Sequence, residues 1–175
     1  VITGIRIISP GQGYTDPKII IDGSASGGSG ATATASVGQA GDYPGAVTYF
    51  QQRRVFAGSY TRPQFVWMTR PGTENDMHNT LPAQDDNCIA VRAAVAETSR
   101  IRHLIPLTSL MLLTASSEIR TTTSNDDVIT PTSIGFLPQT YYGAAPPQPL
   151  LVGRMAVFAS ERGGHIRSLG YSYQK

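Results

Sequence analysis

The sequence holds a single cysteine, Cys88, in 175 residues. No disulfide can therefore form within the chain, and a zinc site built on paired cysteines is excluded. Cys88 reads as a small, half-buried residue. Charge is sparse as well: Asp, Glu, Lys and Arg make up 15% of residues, and the formal net charge is +2. That balance excludes the charge imbalance of disordered tails and of nucleic-acid-wrapping chains. Lysine is nearly missing, with Lys18 and Lys175 set against twelve arginines. The skew either favours planar guanidinium contacts over solvating ammonium groups or reflects a bias of the coding genome. Long apolar runs are also lacking. The best, residues 104–113, is broken by Pro106, Thr108 and Ser109, and it falls far short of the ~20 residues that cross a bilayer. No membrane span is expected.

What the sequence has in quantity is turn-forming and hydroxylated residues. Eighteen Gly and twelve Pro, with eighteen Thr and fifteen Ser, account for more than a third of the chain. Such a composition predicts many short strands with frequent turns, an all-β protein, and not a helical bundle. Residues 1–42 stand apart as a small Gly/Ser-rich β module. Its predicted strands are Ile5-Arg6-Ile7-Ile8, Lys18-Ile19-Ile20-Ile21-Asp22 and the alternating run 31–37. A turn at residues 10–14 joins the first two, and a Gly/Ser link covers 23–30. Gly27-Gly28-Ser29-Gly30 is followed by neither Lys-Ser/Thr nor a helical pattern, so it does not read as a phosphate cradle. The strand pattern begins almost at Val1, with no signal segment ahead of it, so the sequence reads as a piece of something longer.

Residues 43–175 contain a repeat. Val55-Phe56-Ala57-Gly58 leads through a polar turn to Phe65-Val66-Trp67-Met68. Leu112-Leu113-Thr114-Ala115 leads through Ser116-Ser117 to Glu118-Ile119-Arg120. Val157-Phe158-Ala159-Ser160 leads through Arg162-Gly163-Gly164 to His165-Ile166-Arg167. The anchors Phe56, Leu113 and Phe158 lie 57 and 45 residues apart, close to the ~40–50-residue period of a β-propeller blade. A further strand is predicted ahead of each, at residues 46–49, 101–105 and 149–152. The expectation is about three propeller-like blades, at 43–80, 84–125 and 128–175. Closed propellers have roughly four to eight blades, so three make an incomplete propeller or an open stack. Near residues 90–100 the pattern predicts a strand running into a short helical turn at Ala93-Ala94-Val95-Ala96-Glu97.

The inventory for chemistry is short. His78, His103 and His165 are far apart in sequence and fit no metal-binding spacing. His103 lies in an apolar run and reads as a packed, hydrogen-bonded residue, whereas His165 sits in a tight hairpin and reads as exposed. Asp85-Asp86-Asn87 and Asn125-Asp126-Asp127 lack the alternating ligands of a calcium loop and read as turn or strand-end caps. A glycosidase would need two carboxylates brought together in space, as Glu118 and Asp126 could be, but any β-rich chain offers such pairs. Arg53 and Arg54, beside Tyr49 and Phe50, invite comparison with a nucleic-acid surface. Consecutive strand residues face opposite ways, however, so at most one serves any partner, and a packed or ion-paired arginine is the better reading. No catalytic, cofactor-binding or metal-binding residue is assigned, no cofactor is expected, and the chain does not read as an enzyme.

Several ordered strings carry a resemblance. Tyr49-Phe50-Gln51-Gln52-Arg53-Arg54-Val55-Phe56-Ala57-Gly58, then Arg62-Pro63-Gln64 and Val66-Trp67-Met68-Thr69-Arg70, resemble the tail nozzle proteins (tail tubular protein B) of short-tailed bacteriophages and their prophage relatives. Ile101-Arg102-His103-Leu104-Ile105-Pro106-Leu107, the strings at 112–118, 129–131 and 139–144, Val152-Gly153 with Val157-Phe158, and Ile166-Arg167-Ser168-Leu169-Gly170-Tyr171 follow in the family's order. The chain departs from the pattern at Ile119, where Trp is common, and at Asn75-Asp76-Met77-His78. The turn at 11–15 resembles a repeat found in phage tail and surface proteins. The resemblance implies a structural protein of the virion tail, assembled in the bacterial cytoplasm as a homo-oligomeric nozzle ring. It also implies neighbours on the adaptor or portal side, tail fibres, and transient contact with DNA leaving through the channel. The alternative is a receptor- or carbohydrate-binding module, for which Trp67, Tyr141 and Tyr142 are the candidate stacking residues.

Overall fold

The computed structural model describes residues 42–95, 99–124 and 128–170, together with residues 19, 21, 32 and 33. Apart from those four residues, the strands, turn and link expected within residues 1–41 lie outside the described residues. Among the described residues are eleven strands and no helix. They form three antiparallel sheets in which every strand pairs with its neighbour in sequence. The first sheet comprises β1 (Ala46–Phe50), β2 (Arg53–Ala57), β3 (Phe65–Met68) and β4 (Ile89–Arg92). The second comprises β5 (Ile101–Pro106), β6 (Leu110–Thr114), β7 (Glu118–Thr123) and β8 (Ile134–Thr140). The third comprises β9 (Leu150–Val152), β10 (Met155–Ala159) and β11 (Ile166–Gly170).

The three repeated hairpins are β2–β3, β6–β7 and β10–β11, and the strands expected ahead of them are β1, β5 and β9. Two strands fall on the other side of the expected limits. β4 pairs with β3 and β8 with β7, so each completes the sheet before it, although residues 84–125 and 128–175 were expected to open new units. The helical turn expected from Ala93 is absent over residues 93–95. Ala93 is fully buried, and its N–H donates to the carbonyl of Gln64 across the sheet, where a helix would require a carbonyl four residues back.

The second sheet is the middle layer. Period-two alternation sends Leu110 and Leu112 of β6 to one face, where they pack with Val55, Val66, Met68 and Ile89 of the first sheet. Met111 and Leu113 point the other way, against Ala156 and Phe158 of the third sheet. All five residues of β6 are consequently buried. A bulge at Arg102 resets the alternation of β5, so that Ile101 and Leu104 join the first core while Ile105 joins the second. Two glycines permit the close approaches of this stack. Gly58 has φ +70°, and a Cβ there would lie 1.9 Å from the Ile101 carbonyl oxygen; Gly143 has φ +74°, and a Cβ there would lie 2.0 Å from that of Ala115.

Candidate functional site

The Arg53-Arg54 pair divides as alternation requires. Arg53 is 2% exposed, and its guanidinium donates to three main-chain carbonyls, those of Thr69 (2.8 Å), Asn87 (2.6 Å) and Asp85 (2.9 Å). It thereby ties β2 to the segment that enters β4. Burial pulls the Arg53 guanidinium below its ordinary pKa, with Asp86 acting in the opposite sense. Arg54 faces outward, where it donates to Glu74 at 2.7 Å and to the Tyr49 hydroxyl. Asp85-Asp86-Asn87 forms the turn immediately before β4. Asp86 pairs with Arg70, and the buried Asn87 side chain engages Thr80.

The three histidines occupy different places. His103 is half-buried on β5, with Nε2 at 3.0 Å from the Ala145 carbonyl oxygen, and His165 is exposed in the β10–β11 turn. His78 lies in the β3–β4 connection, where its carbonyl accepts from the N–H of the buried Cys88. The Cys88 thiol donates to the Met77 carbonyl at 3.1 Å and to Asn79 Oδ1 at 3.2 Å, and burial raises its pKa. Among the described residues no three His, Cys, Asp or Glu side chains converge. Glu118 is fully buried at the start of β7, and its Oε2 accepts from the Thr140 hydroxyl and, at 3.3 Å, from the Tyr142 N–H. It fastens the end of β8; residues 125–127, Asp126 included, lie outside the described residues.

The outer layers carry the unusual surfaces. On the third sheet, Leu150, Val152, Met155 and Ile166 are 68, 56, 46 and 78% exposed. The pairing of β9, β10 and β11 sets them on one face with Val157, and no charged residue shares that face. The outer face of the first sheet carries Val47, Tyr49, Phe56, Phe65 and Trp67. There Phe65 and Trp67 stack with ring centroids 5.6 Å apart, and Trp67 is half-buried. Tyr141 and Tyr142 are exposed just after β8, with the Arg167 guanidinium 3.4 Å from the Tyr142 ring centre. Arginines also cover Tyr49, Phe65 and Tyr60, which is the planar guanidinium use that the scarcity of lysine suggested.

Sequence reasoning missed the apolar outer face of the third sheet, although the alternation of Met155, Val157 and Ala159 was a usable signal. It also missed the Arg100–Tyr60 contact and the Arg102–Glu161 ion pair, which join residues 40 and 59 apart in the chain. No protein-family model and no curated protein matches the chain.

Proposed function

We propose that this chain is a structural component of the tail of a short-tailed bacteriophage. In this reading its sheets are successive propeller-like blades of the nozzle ring at the distal tail, through which DNA leaves. The observation that carries the reading is the stack itself. One sheet is buried on both faces between two others, and the third ends in a broad, uncharged apolar face. Exposed apolar surface of that kind marks a surface that another layer covers. The residues of the resemblance support it by their positions. Arg53, Gly58, Leu112, Leu113, Gly143 and Phe158 build layers and close approaches and do not surround a cluster of titratable groups. A near-neutral chain also suits a conduit, because dense positive charge would retain phosphates and slow their passage.

The test is electron microscopy with mass determination on the full-length protein, alone and with neighbouring tail components. Rings with a central channel are the expected result; particles that stay monomeric in every mixture would overturn the reading. A second reading, a glycan- or receptor-binding module, draws on the exposed Tyr141 and Tyr142. It predicts glycan-array binding that is lost in Tyr141→Ala.

A further inference from the structure

The first strand of each sheet borders one groove. Residues 46–48 of β1, 102–106 of β5 and Leu151 of β9 line it, and its volume is about 1070 Å³. Pro63, Pro106, Pro149 and Leu151 give it apolar walls. Two basic residues on those walls are already engaged, Arg102 with Glu161 and His103 through Nε2 with the Ala145 carbonyl. Arg100 is different. Its guanidinium lies 4.3 Å from the Tyr60 ring centre, and among the described residues it makes no hydrogen bond or ion pair. A guanidinium stacked in this way keeps its N–H fork free, in a shape matched to a carboxylate. Apolar walls around one oriented charge suit a largely apolar ligand that carries an acid.

The chain itself presents such a segment. Leu81-Pro82-Ala83-Gln84-Asp85, in the β3–β4 connection, is exposed throughout. Leu81 is 79% exposed. The Asp85 carboxylate is in no ion pair among the described residues, whereas Asp86 beside it is paired with Arg70. Backbone contacts hold the segment in place: Arg53 donates to the Asp85 carbonyl, and the Asn87 N–H donates to the carbonyl of Gln84. Met68 lies opposite Val55 and Val66 opposite Ala57, so β3 ends beside the β1–β2 turn and the segment leaves from that end of the sheet. The groove borders the other end, where Arg100 Nη2 lies beside Gly45 and the Gly45 N–H donates to the Ala57 carbonyl. Each copy therefore carries the free acid and the free cation at opposite ends of its first sheet.

We infer that residues 81–85 of one copy of this chain enter the groove of the next, with Leu81 against the proline-lined wall and Asp85 on Arg100. The inference rests on the ring reading and names a contact that builds the ring. The two surfaces are different patches of the chain, so the contact is heterologous. Contacts of that kind generate rings when the rotation between copies closes. Both partners are suited to it: the guanidinium is held by Tyr60 before binding, and the acid is carried on a segment whose backbone is already fastened, which lowers the ordering cost of association.

The experiment has two arms. In the first, a dye-labelled peptide with the sequence of residues 79–85 is titrated with the full-length protein and followed by fluorescence anisotropy. Saturable binding is expected. Asp85→Asn in the peptide, or Arg100→Gln in the protein, should weaken it roughly tenfold or more, as the loss of a charge-assisted hydrogen-bond pair does. Arg100→Asp protein should instead prefer the Asp85→Arg peptide. Absence of saturable binding overturns the inference, as does equal affinity for the Asp85→Asn peptide. In the second arm, electron microscopy of full-length Arg100→Asp and Asp85→Arg should show rings lost in each, and the double variant should regain them. Rings that survive both single substitutions overturn this contact and leave the ring reading standing. If the unaltered protein forms no ring in any mixture, that reading falls by itself, and the peptide arm alone decides whether the groove takes an acidic segment.

Discussion

Arg53 and Arg54 are consecutive in β2 and serve opposite sides of the first sheet: Arg53 is sealed against three carbonyls, and Arg54 lies outside against Glu74 and Tyr49. The difference in cost of losing each follows from solvation. Arg53→Ala leaves the carbonyls of Thr69, Asp85 and Asn87 without their buried donor. The Thr69 and Asn87 carbonyls are buried and that of Asp85 is partly so; each unsatisfied buried polar group costs about 1–3 kcal/mol, so a loss of at least ~2 kcal/mol is expected. Arg54→Ala removes exposed contacts to Glu74, Asn75 and Tyr49 that water can replace, and it should cost much less than Arg53→Ala. Urea unfolding of the two variants checks the contrast, and equal losses would contradict this account of β2.

Cys88 offers a probe of the same region. Its thiol is 6% exposed, hydrogen-bonded to Met77 and Asn79, and held protonated by burial. Because the thiolate is the reactive form, the folded protein should react with an aromatic disulfide reagent at neutral pH far more slowly than the urea-unfolded chain. Arg53→Ala should raise the folded-state rate by opening the segment that Arg53 secures. Rapid labelling of the unaltered protein would show that the β3–β4 connection does not shield the thiol.

Much of this fold was legible because its signals are local. Alternation in Val55-Phe56-Ala57 or Val157-Phe158-Ala159, a short turn and a second apolar run declare a hairpin wherever they occur. Sheet membership is a different matter. Twenty residues separate the end of β3 from the start of β4, and nothing in that interval states which neighbour it will join. β8 was not read as a strand at all, since Gly135 and Pro138 interrupt it, yet Ile134 and Phe136 still reach the first core. Of the candidate site residues, the split between Arg53 and Arg54 followed from strand geometry, whereas the carbonyls that Arg53 binds lie 16 to 34 residues away and had no local signature.

The β1–β2 turn is built from Gln51 and Gln52 at φ 47° and 61°, a left-handed pair normally given to Asn-Gly. Gln52→Gly should stabilise the protein by about 1 kcal/mol, the cost of holding a residue with a Cβ in that region. Gln51→Gly relieves similar strain but deletes the Oε1 that accepts the Ile129 N–H at 2.7 Å, a contact between the first hairpin and the β7–β8 connection. Its net effect should be close to zero or destabilising. Thermal midpoints for the two variants distinguish them, and equal stabilisation would mean that the Ile129 contact contributes nothing.

Glu161, in the β10–β11 turn, accepts from both guanidinium nitrogens of Arg102 on β5, one of them at 3.1 Å. Arg102 also donates to the Ala144 carbonyl at 2.7 Å, so this one side chain links the second sheet to the third. The hydrogen bonds from Arg102 hold the Glu161 carboxyl below the ordinary glutamate pKa, with burial opposing them. A carboxylate whose pKa is lower folded than unfolded stabilises the fold above its unfolded pKa, and that contribution disappears as pH falls through the lowered value. Acid should therefore loosen the link between the two sheets only below the ordinary glutamate range. Carboxyl-carbon NMR of Glu161 should give a depressed midpoint that returns to the ordinary value in Arg102→Gln, and the variant should lose the corresponding acid-side step in a pH series of unfolding midpoints. A Glu161 midpoint unchanged by that substitution would mean that the ion pair does not persist in solution, leaving the Ala144 carbonyl as the remaining anchor of Arg102.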